Sequence, residues 1–529
     1  MNDFLSGAGL VIAAACAAAS ILLPAGRTRS AAMLTALVLF PVLILGDQWH
    51  NHQIVELRHH EAKAAVAIVV GVFLVVALAA VFRRWPVLMP LSIIGALPFR
   101  IPLESGGETA NLLVPLYVVI GAGVLAAMFL PPPAEKRRPR WVAKTLAIFV
   151  VLYALQALYS EDYSKGLQEV CFFLVPFTLA YILLRELPWD RRLLVWALIL
   201  VTGEAIAFVL IGSVEYLSHS LFWNDAVIRS NEFHTYFRVN SVFWDPNIYG
   251  RYLALVLVVL TATVMWIRER RAFWLLSGAI LLLWLGLAQT FSQSSFIALL
   301  AGLAVVAALR WSWRWTLGVV VVGLVGAALV VLFVGGSGKV TWDKFNVDTS
   351  GRSHLISGGA ELFSDRPLWG YGSGSFQKAY TNHLKTEKKA PVTISHTEPI
   401  TVASEQGLIG LAAYLALVVV SLWTMAAGLW ARGPDRDPMY VFIARAAILA
   451  AFVALLVHDS LRRLLPGPDH LGADGDRRIA RRRAQRRARP HSADGHSPRR
   501  GLGFRGCPDT CAAWRRPAPP TRRRASSRS

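Results

Sequence analysis

Charge is scarce in this chain. Of its 529 residues only 16% are Asp, Glu, Lys or Arg, against about 25% in soluble domains. With 55% hydrophobic residues and a mean hydropathy of +0.47, that scarcity excludes a single water-soluble core of this length. Acid is scarcer than base, 33 residues against 54, for a net charge of +21. The excess does not build a nucleic-acid surface. Residues 461–529 hold 19 Arg and 5 Asp, which is +14 of the total, and the other cations sit mostly in short loops between apolar runs. Cysteines number four. Cys16 and Cys171 lie inside apolar runs, and Cys507 and Cys511 stand four apart with no second ligand pair, so no metal site is expected. Also missing are the alternation of a β-barrel, a Walker phosphate loop, a carboxylate–metal cluster and, at Met1-Asn2-Asp3, the basic start of a signal peptide. No cofactor is expected.

What the sequence does have is long apolar runs. A helix needs about 20 apolar residues to cross a hydrocarbon core. Runs of that order have cores near 5–24, 31–46, 64–82, 111–130, 141–158, 168–184, 193–213, 248–267, 272–289, 294–309, 316–334, 401–430 and 439–457. Backbone polar groups in lipid must be satisfied within the segment, so these runs predict helices. A shorter run, 86–98, either spans with help or re-enters. The fold class is therefore an all-α polytopic membrane protein of about 12–14 transmembrane helices with one large extracytoplasmic loop. The expected organisation is transmembrane helices over 1–334 with an extracytoplasmic loop near 214–245, the large loop over 335–400, C-terminal helices over 401–458 and an Arg/Pro-rich tail over 459–529.

Orientation follows from the short loops. One alternating set, including Arg27, Arg83, the Lys136–Arg140 cluster and Arg268, holds 18 basic residues, and the opposite set holds 6. The positive-inside rule puts the first set in the cytoplasm and both longer loops outside. The parity depends on 86–98 crossing. The tail contains no Lys, Glu, Asn, Tyr, Met or Val from residue 461 onward. It reads either as a disordered basic tail touching anionic lipid or nucleic acid, or as a reading-frame error in a GC-rich gene. Resequencing near codon 459 separates the two.

Two outside segments hold the candidate chemistry. In the first, Asp245-Pro246-Asn247 signals a helix start, with Pro early in the first turn and Asp or Asn as cap. Arg238 lies at a membrane surface on the side where Arg is rare. It suits a phosphate or pyrophosphate, or else it snorkels. In the second, residues 352–363 carry helical spacing at Leu355, Ile356, Leu362 and Phe363. Gly370, Gly372 and Gly374 form a turn, a weak phosphate-cradle signal by themselves. Arg366 follows Asp365 and either pairs with it or binds an anion. His396 stands at the mouth of a long helix, where Glu398 and Glu405 would orient it or compete as bases. Glu405 reads equally as a polar group inside the bundle.

In their order, these motifs resemble the O-antigen ligase and O-antigen polymerase family of bacterial envelope polysaccharide assembly. The resemblance rests on the Arg-led helix from Arg352, the Pro367-Leu-Trp-Gly-Tyr-Gly-Ser-Gly-Ser-Phe376 stretch, His396-Thr397-Glu398, and Ser404-Glu405-Gln406-Gly407-Leu408-Ile409-Gly410. Upstream, Arg238 with Asp245-Pro246-Asn247-Ile248-Tyr249-Gly250, and Leu112 to Tyr117, extend it to roughly residues 90–460. The resemblance implies a multi-pass enzyme of the bacterial cytoplasmic (inner) membrane with its site on the extracytoplasmic face. It would be a metal-independent glycosyltransferase, moving a polyprenyl-diphosphate-linked glycan, undecaprenyl diphosphate being such a carrier, to an acceptor hydroxyl. The partners implied are that donor, a glycan or lipid acceptor and the lipid bilayer, with no nucleic acid. By resemblance Arg352 and His396 are catalytic, His396 as base or orienting group for the acceptor hydroxyl, and Arg238, Arg352 and Arg366 bind the diphosphate; Glu398 and Glu405 stay the candidates to orient His396. The family would continue past residue 457 with an aromatic stretch, of which Val457-His458-Asp459-Ser460 resembles the start, and at least one more helix. The rival reading is a membrane transporter or flippase of lipid-linked oligosaccharide. That class would place ionisable residues or Gly/Pro breaks at midplane, often in repeats; here no repeat is seen and polar residues collect in outside loops.

Overall fold

With no water in the bilayer core, an apolar run must close its own backbone hydrogen bonds, and in the computed structural model the runs do so as helices. The structure describes residues 3–49, 55, 61–105, 108–129, 140–221, 228, 231, 237–322, 352–383, 398–436 and 438–461, all within one compact unit, Met1–Ala473. The first half comprises α1 (Asp3–Leu22), α2 (Arg27–Asp47), α3 (Glu61–Arg84), α4 (Leu88–Ala96), α5 (Val114–Phe129), α6 (Trp141–Ala157), α7 (Tyr163–Glu169) and α8 (Val175–Arg185). The second comprises α9 (Arg191–Ser218), α10 (Pro246–Trp266), α11 (Arg270–Gln289), α12 (Gln293–Arg310) and α13 (Trp313–Val322). It ends with α14 (Arg352–Asp365), α15 (Phe376–His383), α16 (Glu398–Arg436) and α17 (Met439–Leu461).

Among the described residues nine helical stretches are long and apolar enough to cross a membrane, and α5, α6 and α13 are shorter apolar helices. The fold is all-α and polytopic, as the runs predict. One feature departs from that pattern: β1 (Ile101–Ser105) pairs antiparallel with β2 (Glu108–Leu112). This ribbon follows α4, whose nine residues rise only about 13 Å, under half of a hydrocarbon core of about 30 Å. Much of the sequence-predicted large loop (323–351 and 384–397) and residues 462–529 of the tail lie outside the described residues.

Local chemistry explains the irregular helix. Pro176 has no N–H, so the carbonyl of Phe172 loses its helical partner. The chain widens there into a π-helical turn, Val170–Leu174, joining α7 to α8. Tyr117 of α5 donates its hydroxyl to that same carbonyl at 2.9 Å.

The interior divides into two large apolar clusters, one among α1 to α8 and one among α9 to α12 with α17. Phe73 (68% exposed) and Leu281 (66% exposed) point outward, which suits side chains whose solvent is lipid. Polar contacts between helices join ends that the loop charges assign to one side. On the basic-loop side Arg29 of α2 pairs through both nitrogens with Glu186 at 2.7 Å. On the other side Gln156 of α6 donates to the Gln406 carbonyl of α16 at 3.0 Å.

Candidate functional site

The first polar network is anchored by a buried carboxylate. Glu215, fully buried near the end of α9, accepts from the backbone amides of Asn240 and Ser241 at 3.2 and 2.7 Å. This ties the segment before α10 onto the helix end and sets the position of Arg238. The Arg238 guanidinium donates from Nε to the Thr290 carbonyl at 3.0 Å and from Nη2 to Asn247 Oδ1 at 3.1 Å. Asp245 caps α10 by accepting from the Asn247 amide at 2.7 Å, with Pro246 opening the helix. The Asn247 side chain is thereby turned to Arg238 and to Ser292, whose hydroxyl donates to the same Oδ1 at 3.0 Å.

Both of these guanidinium acceptors are neutral. Burial pulls the Arg238 pKa below its usual value, and Asp245 opposes that shift; a guanidinium nevertheless keeps its charge at neutral pH. The result is a cation largely removed from water whose hydrogen-bond partners carry no counter-charge. An anionic ligand would supply one.

From Ser292 the row continues across the helix ends. Ser292 meets Ser295 at 2.8 Å and Ser294 at 3.4 Å, and Ser294 meets Nε2 of the fully buried His458 at 3.4 Å. His458 Nδ1 faces Asp459 at 3.4 Å, and Asp459 pairs with Arg251 of α10 at 2.8 Å. Links of 3.4 Å are long for hydrogen bonds, so this is a packed polar seam between α10, α12 and α17 rather than a proton wire.

The second network holds the described part of the large loop. Gly370, Gly372 and Gly374 all have positive φ (67°, 97° and 79°). A Cβ on Gly372 would lie 2.2 Å from the Cα of Ser160, so only glycine lets the two backbones approach this closely. The buried Glu405 of α16 accepts from the amides of Gly374 at 2.8 Å and Phe376 at 3.0 Å. Its own carbonyl accepts from the Gly372 amide at 2.7 Å. On the facing side Ser373 donates its hydroxyl to the Tyr153 carbonyl of α6 at 2.9 Å. The amides at 372, 374 and 376 are thus already engaged, and the glycines serve close packing rather than a phosphate cradle. Glu405→Gln should leave one of these amides facing an NH2 group and cost about 1–3 kcal/mol. The readout is the thermal midpoint of purified protein, and an unchanged midpoint would remove the clamp.

The sequence-predicted residues fall as follows. Arg352 is the first residue of α14, which forms where the spacing over 352–363 predicts a helix and packs against α16. Arg366 is exposed just past α14, its guanidinium over the Tyr371 ring at 4.3 Å. Glu398 is the exposed first residue of α16, and Glu405 lies two turns further in. His396 lies outside the described residues. Arg238 and Glu405 belong to separate hydrogen-bond networks. Among the described residues no three His, Cys, Asp or Glu side chains gather as a metal-holding group.

Sequence alone gives no role to Glu215, Arg251, Ser292 or the His458–Asp459 pair. A signal existed for three of these residues: Arg251 lies within an apolar run, and His458 and Asp459 close the last one, where ionisable residues carry a cost. Glu215 and the serines had none, because what they hold is distant in sequence.

Residues 278–415, about a quarter of the chain, match the family model described as O-antigen ligase. The matched stretch runs from α11 into α16 and takes in Ser292, Arg352, Arg366, Glu398 and Glu405. Arg238, Arg251 and Asp459 lie beyond it. No curated protein matches the chain.

Proposed function

We propose that this O-antigen ligase-type membrane enzyme transfers a glycan from a polyprenyl diphosphate to an acceptor hydroxyl, on the extracytoplasmic face of the bacterial cytoplasmic membrane. The observation that carries this reading is Arg238, a half-buried guanidinium held by two neutral oxygens. The acceptor oxygen bonds to the anomeric carbon as the bond from that carbon to the diphosphate oxygen breaks. The diphosphate leaves with the electron pair, and Arg238, Arg352 and Arg366 stabilise the charge it gathers. His396 takes the hydroxyl proton. A guanidinium suits the diphosphate because it stays charged when buried and binds two phosphoryl oxygens at once. Where water is scarce its attraction for developing charge exceeds that in bulk solvent. Glu398, two residues past His396, is placed in sequence to orient it, and Glu405 contributes by holding the glycine turn.

Reconstitution with a polyprenyl-diphosphate glycan tests the assignment. Arg352→Ala and His396→Ala should each lose turnover while the protein still inserts. Full activity in both variants would remove these two residues from the site.

A further inference from the structure

The turn at 290–292, between α11 and α12, meets the Arg238 guanidinium twice. The Thr290 carbonyl accepts from Nε directly, at 3.0 Å and across 52 residues of sequence. Ser292 acts at one remove: its hydroxyl donates to Asn247 Oδ1 at 3.0 Å, and that same oxygen accepts from Arg238 Nη2 at 3.1 Å. A guanidinium only donates, so Asn247 must offer it the oxygen of its amide and not the nitrogen. The final torsion of an asparagine is broad, and the Ser292 hydroxyl selects the orientation that serves. The turn is itself well fixed. The Thr290 hydroxyl donates to the Leu287 carbonyl at 2.7 Å and accepts from the Ser292 amide at 3.2 Å. Phe291 holds φ at 49°, a conformation rare for a bulky side chain. Gly250 lets α10 seat against the turn, since a Cβ there would lie 3.0 Å from Thr290 Oγ1 and 3.1 Å from Ser292 Cβ. The backbone of Arg238 is pinned separately, its amide donating to Asn231 Oδ1 at 3.1 Å and its carbonyl accepting from Asn231 Nδ2 at 3.0 Å.

We infer that Ser292 is a positioning residue for the transfer, aiming Asn247 and through it the Arg238 guanidinium at the leaving diphosphate. The inference rests on the assignment of Arg238 to that diphosphate. A donor to developing charge is effective when its direction is set before the reaction begins. Without the Ser292 hydroxyl the Asn247 amide is free to turn its nitrogen to the guanidinium, donor against donor, and Nη2 loses its guide. Arg238 stays in the site but is less well aimed, so the loss falls on turnover.

A double-mutant cycle on the full chain in proteoliposomes, with a polyprenyl-diphosphate glycan as donor, tests this. Ser292→Ala should lower kcat about tenfold, the worth of one buried hydrogen bond, and leave KM unchanged. Added to Arg238→Gln, the same substitution should cost almost nothing further, because the group it aims is gone. Ser292→Cys fills the same space with a weaker donor and should repeat both results, which guards against a packing defect in the alanine variant. Equal losses from Ser292→Ala in the two backgrounds would overturn the inference and leave Arg238 in its role, with the serine serving the fold alone. Unchanged turnover in Ser292→Ala would overturn it as well. Full activity in Arg238→Gln by itself is a different failure: it would remove the assignment of Arg238, and the inference with it.

Discussion

Arg238→Gln should lower glycan transfer by about 10²- to 10³-fold while the protein still inserts, the size of effect seen when one preorganised donor to a developing anion is removed. The argument rests on what the guanidinium already holds. Its bonds to Thr290 and Asn247 fix its position but leave its charge without a bonded counter-ion. Glutamine is polar and shorter, and it brings no charge to the leaving diphosphate. Arg238→Lys keeps the charge but not the two-point grip, so its turnover should fall between those of arginine and glutamine. A purely structural role would look different. Lysine would then be as damaging as glutamine, and the thermal midpoint would fall in step with activity.

The largest stability effect should come from Gly372→Ala. The added methyl meets two penalties at once. The backbone at φ 97° is strained for any residue with a Cβ, at about 1–3 kcal/mol. The methyl would also lie 2.2 Å from the Ser160 Cα, and such overpacking costs about 1–3 kcal/mol more. That total is a large share of the roughly 5–15 kcal/mol that keeps a protein folded. The purified variant should therefore show a thermal midpoint many degrees lower and a reduced monodisperse fraction in detergent. Gly203→Ala is the control, since a Cβ there meets nothing within 4 Å. Equal midpoints for the two variants would mean the turn does not pack against Ser160 as described.

The helices were legible in the sequence because lipid leaves a long apolar run few alternatives. The start of α10 was legible as well, since Asp245 and Pro246 act on their immediate neighbours. So was α14, whose Leu355 and Leu362 recur at helical spacing. Most of what could not be read has one cause, which is a partner far along the chain. The glycine turn looked like a phosphate cradle because Ser160 and Glu405, which engage it, come from other elements. Asp459 finds Arg251 across 208 residues, and Glu215 finds Ser241 across 26. The ribbon at 101–112 was hidden for another reason: β1 and β2 are five residues each, too short to stand out beside runs of twenty. Arg238 was singled out by charge and placement alone, and the structure adds the acceptors that hold it.

The most direct measurement follows the donor itself. Purified protein in proteoliposomes is given a polyprenyl-diphosphate glycan and an acceptor glycan, without nucleotide. Polyprenyl diphosphate should be released in step with a new glycosidic bond, and both should be lost in Arg238→Gln. Intact donor arriving in the opposite leaflet, with no glycosidic product, would contradict the account and identify a transporter.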